Sequence, residues 1–226
     1  MSKSKLTIRP VALILLSAMG SALMAQEKTG NSELPPGQPK KANVRPVGAE
    51  ETQTEPFAAA SVESMGQQCV TLETEAGAIE IEMLALSAPE SARSFLNLAA
   101  TGALDTTLFS RTVKDFIIQG GNLSTSQHWG EALSKRMSRK LPDEPSLVRH
   151  VRGIVSMARP DEPNSATTHF FILVGDGPHL NGKFSAFGRV RKGIEVAEAI
   201  NHAPAIGEKP EKAVRINRAV VAPCQP

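Results

Sequence analysis

The chain has 226 residues, 41% of them hydrophobic and 21% charged, enough for one domain with added segments and inconsistent with wholesale disorder. The formal net charge is +2, but Lys3, Lys5 and Arg9 fall in a leader-like stretch, and without them 22 basic residues face 23 acidic ones. That balance gives no electrostatic argument for nucleic acid or for an anionic membrane surface.

Residues 1–25 read as a secretory signal: the basic start, an apolar run from Val11 to about Met19, then small residues up to Ala25, after which cleavage is expected. The run is short of the roughly 20 residues that span a bilayer, so a retained anchor is disfavoured, and the lack of a cysteine there argues against lipid attachment. The expected destination is export, to a periplasm or the medium, with no membrane insertion after signal removal. From Gln26 to Gly66 the composition turns to Pro, Gly, Glu, Lys and Ala, with Pro35, Pro36, Pro39, Pro46 and Pro56 favouring extended backbone. A disordered linker is expected over 26–66, and the domain over 67–226.

Val70 and Leu72, then Ile79, Ile81 and Met83, alternate with polar neighbours across Ala76-Gly77, the pattern of a hairpin. Ser87 and Glu90 have capping-box spacing, Pro89 suits a first turn, and Phe95, Leu98 and Ala99 form a helical stripe that ends at Gly102. Short strands are expected at 108–111, 116–119, 153–158, 170–174 and 186–190, a helix at 193–200, and a closing strand at 213–221. The segment 123–150 is polar and irregular, with helical character around 131–139. Many short strands with few helices point to a barrel or sandwich with helical caps.

The run Phe109-Ser-Arg-Thr-Val-Lys-Asp-Phe-Ile-Ile-Gln-Gly-Gly-Asn122 closely resembles the cyclophilins. So do Gly153-Ile-Val-Ser-Met-Ala158, Thr168-His-Phe-Phe-Ile172, Leu180-Asn-Gly-Lys183 and Phe187-Gly-Arg-Val190, which follow in family order over roughly 68–223. The wording of Ser156 to Arg159 and of Asn164 to Thr167 looks more like bacterial members. The resemblance implies a mainly β fold, an eight-stranded antiparallel barrel closed by two helices. It also implies peptidyl-prolyl cis-trans isomerase activity on proline-containing segments of exported proteins, without a cofactor and as a monomer.

Rotating an X-Pro bond requires loss of amide resonance over about 18–20 kcal/mol, with no covalent bond made or broken. The resemblance assigns the catalytic positions to Arg111, Phe116 and Gln119. Arg111 would donate to the prolyl nitrogen as it pyramidalises, since a guanidinium stays charged and presents several fixed donors. It assigns substrate binding to Ile117, Met157, Ala158, Arg159, His169, Phe171, His179, Leu180 and Phe184. Four positions depart from the usual pattern: His179 stands for a frequent Trp, Phe184 for His, His169 for Gln and Asn122 for Asp. The changed rim implies weak cyclosporin binding. It also leaves open a different class of function, a proline-peptide-binding chaperone or assembly module with little turnover.

His169 and His179 have no companion at ligand spacing, so no metal site is expected. Gly120-Gly121 lacks the Lys-Ser or Lys-Thr of a phosphate loop and reads as a tight backbone passage, and neither Gly-x-Ser-x-Gly nor His-Glu-x-x-His occurs. Cys69 and Cys224 bracket the domain. The terminal strands of the cyclophilin fold lie together, which implies a Cys69–Cys224 disulfide in an exporting compartment, the alternative being two unpaired thiols.

Overall fold

The computed structural model describes residues 55–225. The leader at 1–25 and the linker as far as residue 54 lie outside them. Among the described residues no helix is long and apolar enough to cross a membrane.

The fold is built on strands β1 (Gln68–Thr74), β2 (Gly77–Met83), β3 (Arg111–Val113), β4 (Ile117–Gly120), β5 (Ile154–Met157), β6 (Phe170–Leu173), β7 (Ala186–Lys192) and β10 (Ile216–Pro223). They form one antiparallel sheet in the order β10-β1-β2-β7-β5-β6-β4-β3. Its two edges meet not in a full ladder but at the Leu108–Arg215 bridge, with Phe109 N donating to Val214 O (2.9 Å) and Ile216 N to Thr107 O (2.8 Å). The first of the short strands accordingly lies at Arg111–Val113, later than the expected 108–111, because Leu108 and Phe109 pair with the far edge instead. A small hairpin, β8 (Ala205–Ile206) and β9 (Lys209–Pro210), stands beside β3.

Four helices accompany the sheet: α1 (Val62–Gly66), α2 (Pro89–Ala100), α3 (Glu131–Met137) and α4 (Ile194–Asn201). α2 fills the interior, its Phe95 meeting Phe170 edge-on at 5.1 Å between ring centroids and Phe187 at 4.9 Å. The expected Ser87–Glu90 capping box does not form. Glu144 caps α2 instead, its carboxylate accepting from Glu90 N (2.8 Å), Ser91 N (2.8 Å) and Ser91 Oγ (2.7 Å), while Ser87 Oγ bonds Ser146 Oγ (2.6 Å). A carboxylate there satisfies otherwise orphaned amides and suits the helix dipole.

Residues 55–66, expected to be linker, belong to the folded body. Met65 is fully buried in the core and Phe57 packs against it. Arg93 Nη1 on α2 donates to Phe57 O (2.7 Å) and Ala60 O (2.8 Å), and Glu55 pairs with Arg136 (3.0 Å) and Arg139 (2.9 Å). Two apolar anchors suffice to dock a short segment that a compositional average assigns to the linker.

Alternation along the strands gives the sheet two buried faces. Ile118, Val155, Met157, Phe170 and Ile172 join the main core. Their neighbours Ile117, Ile154, Phe171 and Leu173 form a second apolar cluster with Leu180 and Ala186 on the other face. Cys69 and Cys224 are disulfide-bonded, tying the start of β1 to the chain beyond β10, where Gln68 pairs with Pro223 and Cys69 with Ala222.

Candidate functional site

The second apolar cluster floors a cleft of about 350 Å³ lined by Arg111, Val113, Phe116, Ile117, Gln119, Ala158, Arg159, Phe171, Leu180, Phe184 and Glu208. Three adjacent strands place its polar and aromatic members in register. Arg111 on β3 lies opposite Gln119 on β4, which lies opposite Phe171 on β6, so the three share one face of the sheet. Arg111 Nη1 donates to Gln119 Oε1 at 3.0 Å.

Phe116 sits at the end of the tight connection between β3 and β4, where Asp115 takes a left-handed conformation (φ 58°). Asn201 at the end of α4 pins that turn. Its Nδ2 donates to Val113 O and Ile117 O, and its Oδ1 accepts from Asp115 N, each at 2.8 Å. At 3% exposure, Asn201 has all these bonds within the interior, where each matters more than at the surface. Gly177 lets the wall close up: a Cβ there would lie 3.0 Å from the Phe116 ring and 3.0 Å from Leu180 Cδ1.

On the opposite wall, Phe184 meets Phe171 edge-on at 6.0 Å, and the Arg159 guanidinium lies 5.0 Å from the Phe184 ring centroid. Arg159 is held by Asp143 at 3.1 Å and donates to Pro160 O (2.9 Å) and Asp161 O (3.2 Å).

Arg111, Phe116, Ile117, Gln119, Ala158, Arg159, Phe171, Leu180 and Phe184, all expected from the sequence, converge here. Met157 does not: it is 3% exposed in the main core, because alternation on β5 turns it inward while Ala158 packs on the cleft side. His169 is half-buried outside the lining, its carbonyl accepting from Ala158 N (2.9 Å), and burial holds its imidazole below the ordinary value of 6.5. His179 is exposed and outside the lining too, but its ring lies against that of Phe116, tilted, at 5.4 Å between centroids.

Sequence reasoning missed Val113, Glu208 and Asn201. Glu208, in the turn of the β8–β9 hairpin, accepts from Arg111 Nε at 2.7 Å, and that bond holds its carboxyl below the usual carboxylate range. Gly207 at φ 62° marks a turn, but no sequence signal joins that turn to Arg111. Chemically, the cleft offers a slot for a small apolar ring beside a fixed cation. The one carboxylate that lines it, Glu208, is engaged by Arg111.

Residues 69–221 match the family model described as cyclophilin type peptidyl-prolyl cis-trans isomerase/CLD. The chain is 36% identical over 154 residues to the peptidyl-prolyl cis-trans isomerase CYP18-1 of Arabidopsis thaliana, covering 67% of this chain and 94% of that one. It is 37% identical over 157 residues to the Dictyostelium discoideum isomerase cypE, covering 69% of this chain and 98% of that one. Among solved structures, it resembles a Cryptosporidium parvum cyclophilin type peptidyl-prolyl cis-trans isomerase crystallised in the presence of the dipeptide Ala-Pro. That match has a TM-score of 0.60 and 30% identity, and covers 68% of this chain and 98% of the other.

Proposed function

The chain belongs to the cyclophilin-type peptidyl-prolyl cis-trans isomerase family, and on that premise we propose that its cleft accelerates X-Pro rotation in exported proteins, with Arg111 as the group that stabilises the twisted amide. The observation that carries this reading is the placement of the Arg111 guanidinium beside Phe116, Phe171 and Leu180 in one cleft. Phe116, Ile117, Phe171 and Leu180 receive the prolyl ring. As the amide twists, its nitrogen becomes pyramidal and gains a lone pair that can accept a hydrogen bond. Nε and Nη1 of Arg111 are engaged by Glu208 and Gln119, which leaves Nη2 to donate. The planar ground-state amide has no such lone pair, so the bond favours the transition state selectively, and each ~1.4 kcal/mol of preference is tenfold in rate.

Binding of proline peptides at this cleft is supported by the Ala-Pro dipeptide present with the Cryptosporidium parvum relative. Export is supported by the leader-like start and by the Cys69–Cys224 disulfide, a bond that persists in oxidising compartments. Assignment to the bacterial exported kind rests on the wording of residues 156–159 and 164–167 together with that leader. With His179 in place of the family's frequent Trp and outside the cleft lining, cyclosporin has less to rest on, and weak binding is the expected result.

In a protease-coupled assay on an Ala-Ala-Pro-Phe-type peptide, Arg111→Ala is expected to lower kcat/KM by about ten- to a hundredfold, as loss of one charged hydrogen bond implies. Wild-type turnover in a folded Arg111→Ala protein would exclude this assignment. Peptide binding without turnover in the wild type would favour a binding module.

A further inference from the structure

Both cations that line the cleft are matched by carboxylates. Arg159 is paired with Asp143 at 3.1 Å, from outside the lining, whereas Arg111 is paired with Glu208 at 2.7 Å, from within it. Glu208 is itself fixed twice. Its backbone carbonyl accepts from Thr112 N at 2.8 Å, docking the β8–β9 hairpin on β3, and its side chain reaches the residue next to that amide. The Arg111 guanidinium is thus clamped between Glu208 at Nε and Gln119 at Nη1, and cannot rotate about its long side chain without breaking a bond. The bond from Arg111 favours the ionised form of the Glu208 carboxyl, holding it below the usual carboxylate range.

We propose that Glu208 is the positioning residue for Arg111, and that its charge offsets the guanidinium so that the cleft accepts proline segments irrespective of the charge beside the proline. This inference rests on the assignment of Arg111 made above. The carboxylate does two separable things. Its oxygen fixes the direction of the Nη2 donor, and its charge cancels a cation that is 41% exposed at the place where substrate must lie. A neutral acceptor of the same shape supplies the first without the second.

The test compares Glu208→Ala and Glu208→Gln with the wild type and with Arg111→Ala, using paired peptides with Glu or Lys next to the proline. Turnover is read by NMR exchange and affinity by titration. Glu208→Ala is expected to lower turnover about tenfold, the effect of losing about one hydrogen bond in the transition state, and, because the charge is lost as well, to bind the Glu peptide more tightly than the Lys peptide. Glu208→Gln is expected to restore turnover yet to bind the Glu peptide about threefold more tightly than the Lys peptide, a preference of the size expected for one uncompensated charge in a solvated cleft. The wild type is expected to treat the two peptides alike. Wild-type turnover in Glu208→Ala, or unchanged charge indifference in Glu208→Gln, would overturn the proposal while leaving Arg111 its role. Wild-type turnover in Arg111→Ala would remove the reading beneath it.

Discussion

Among the buried polar side chains, His150 links Asn181, next to Leu180 of the cleft, to Ser156 on β5. It is 1% exposed, with Nδ1 3.3 Å from Asn181 Oδ1 and Nε2 3.0 Å from Ser156 Oγ. A carbonyl oxygen only accepts, so Nδ1 carries the proton and the Ser156 hydroxyl donates to Nε2. Burial disfavours the charged form and holds the imidazole below its ordinary 6.5, as it does at His169. The unfolded chain therefore takes up protons near 6.5 while the folded chain resists until lower pH, and between the two values stability falls as pH falls. Melting temperatures measured from pH 7.5 to pH 5 should decline, and His150→Gln should flatten the decline to the part due to His169. An equal slope in wild type and variant would contradict this. Residue identities in the cleft were largely legible in the sequence because they sit in contiguous blocks. Glu208 and Asn201 were not, because they act through contacts nearly a hundred positions away in the chain, with Arg111 and with the turn at Asp115.

Single elements are held by segments remote in sequence, and α2 is the clearest case. Its first amides are satisfied by Glu144, more than fifty residues on, and not by the nearby Ser87. Glu144→Ala should therefore cost about 1–2 kcal/mol, the usual range for loss of a cap, read as a lower midpoint in urea with an unchanged m-value. An unaltered midpoint would show that the helix end is satisfied by solvent. The periodicity of 89–100 announced the helix, and the alternation of 70–83 announced the hairpin, because each buries one face and repeats accordingly. The cap was illegible because local spacing favoured a partner that the fold then assigned to Ser146. Alternation also explains the misplacement of Met157. Resemblance put it at the site, but on β5 its parity is that of Val155, which faces the main core.

At the scale of the domain, the disulfide and the segment from Glu55 to Gly66 close it at its ends. Cys69 and Cys224 are 155 positions apart, a loop whose closure is worth about 5 kcal/mol in the chain-entropy view. Paired Cys69→Ser and Cys224→Ser substitutions should lower the melting temperature strongly while sparing turnover, since neither cysteine lines the cleft. An unchanged melting temperature would contradict a stabilising bridge. The pairing was legible once the family resemblance implied adjacent terminal strands. The folded segment from Glu55 was not, since Phe57 and Met65 are single anchors within a polar stretch. The same sheet that pairs β1 with β10 displays Arg111, Gln119 and Phe171 in one register row, and on the function proposed above this row lowers the barrier to X-Pro rotation. NMR exchange spectroscopy on an Ala-Pro-containing peptide at substoichiometric protein measures it at equilibrium, with no coupling enzyme. We expect strong cis–trans exchange cross-peaks with the wild type, and exchange about ten- to a hundredfold slower with Arg111→Ala despite bound peptide. Equal exchange with both proteins, or bound peptide without exchange in the wild type, would contradict the claim.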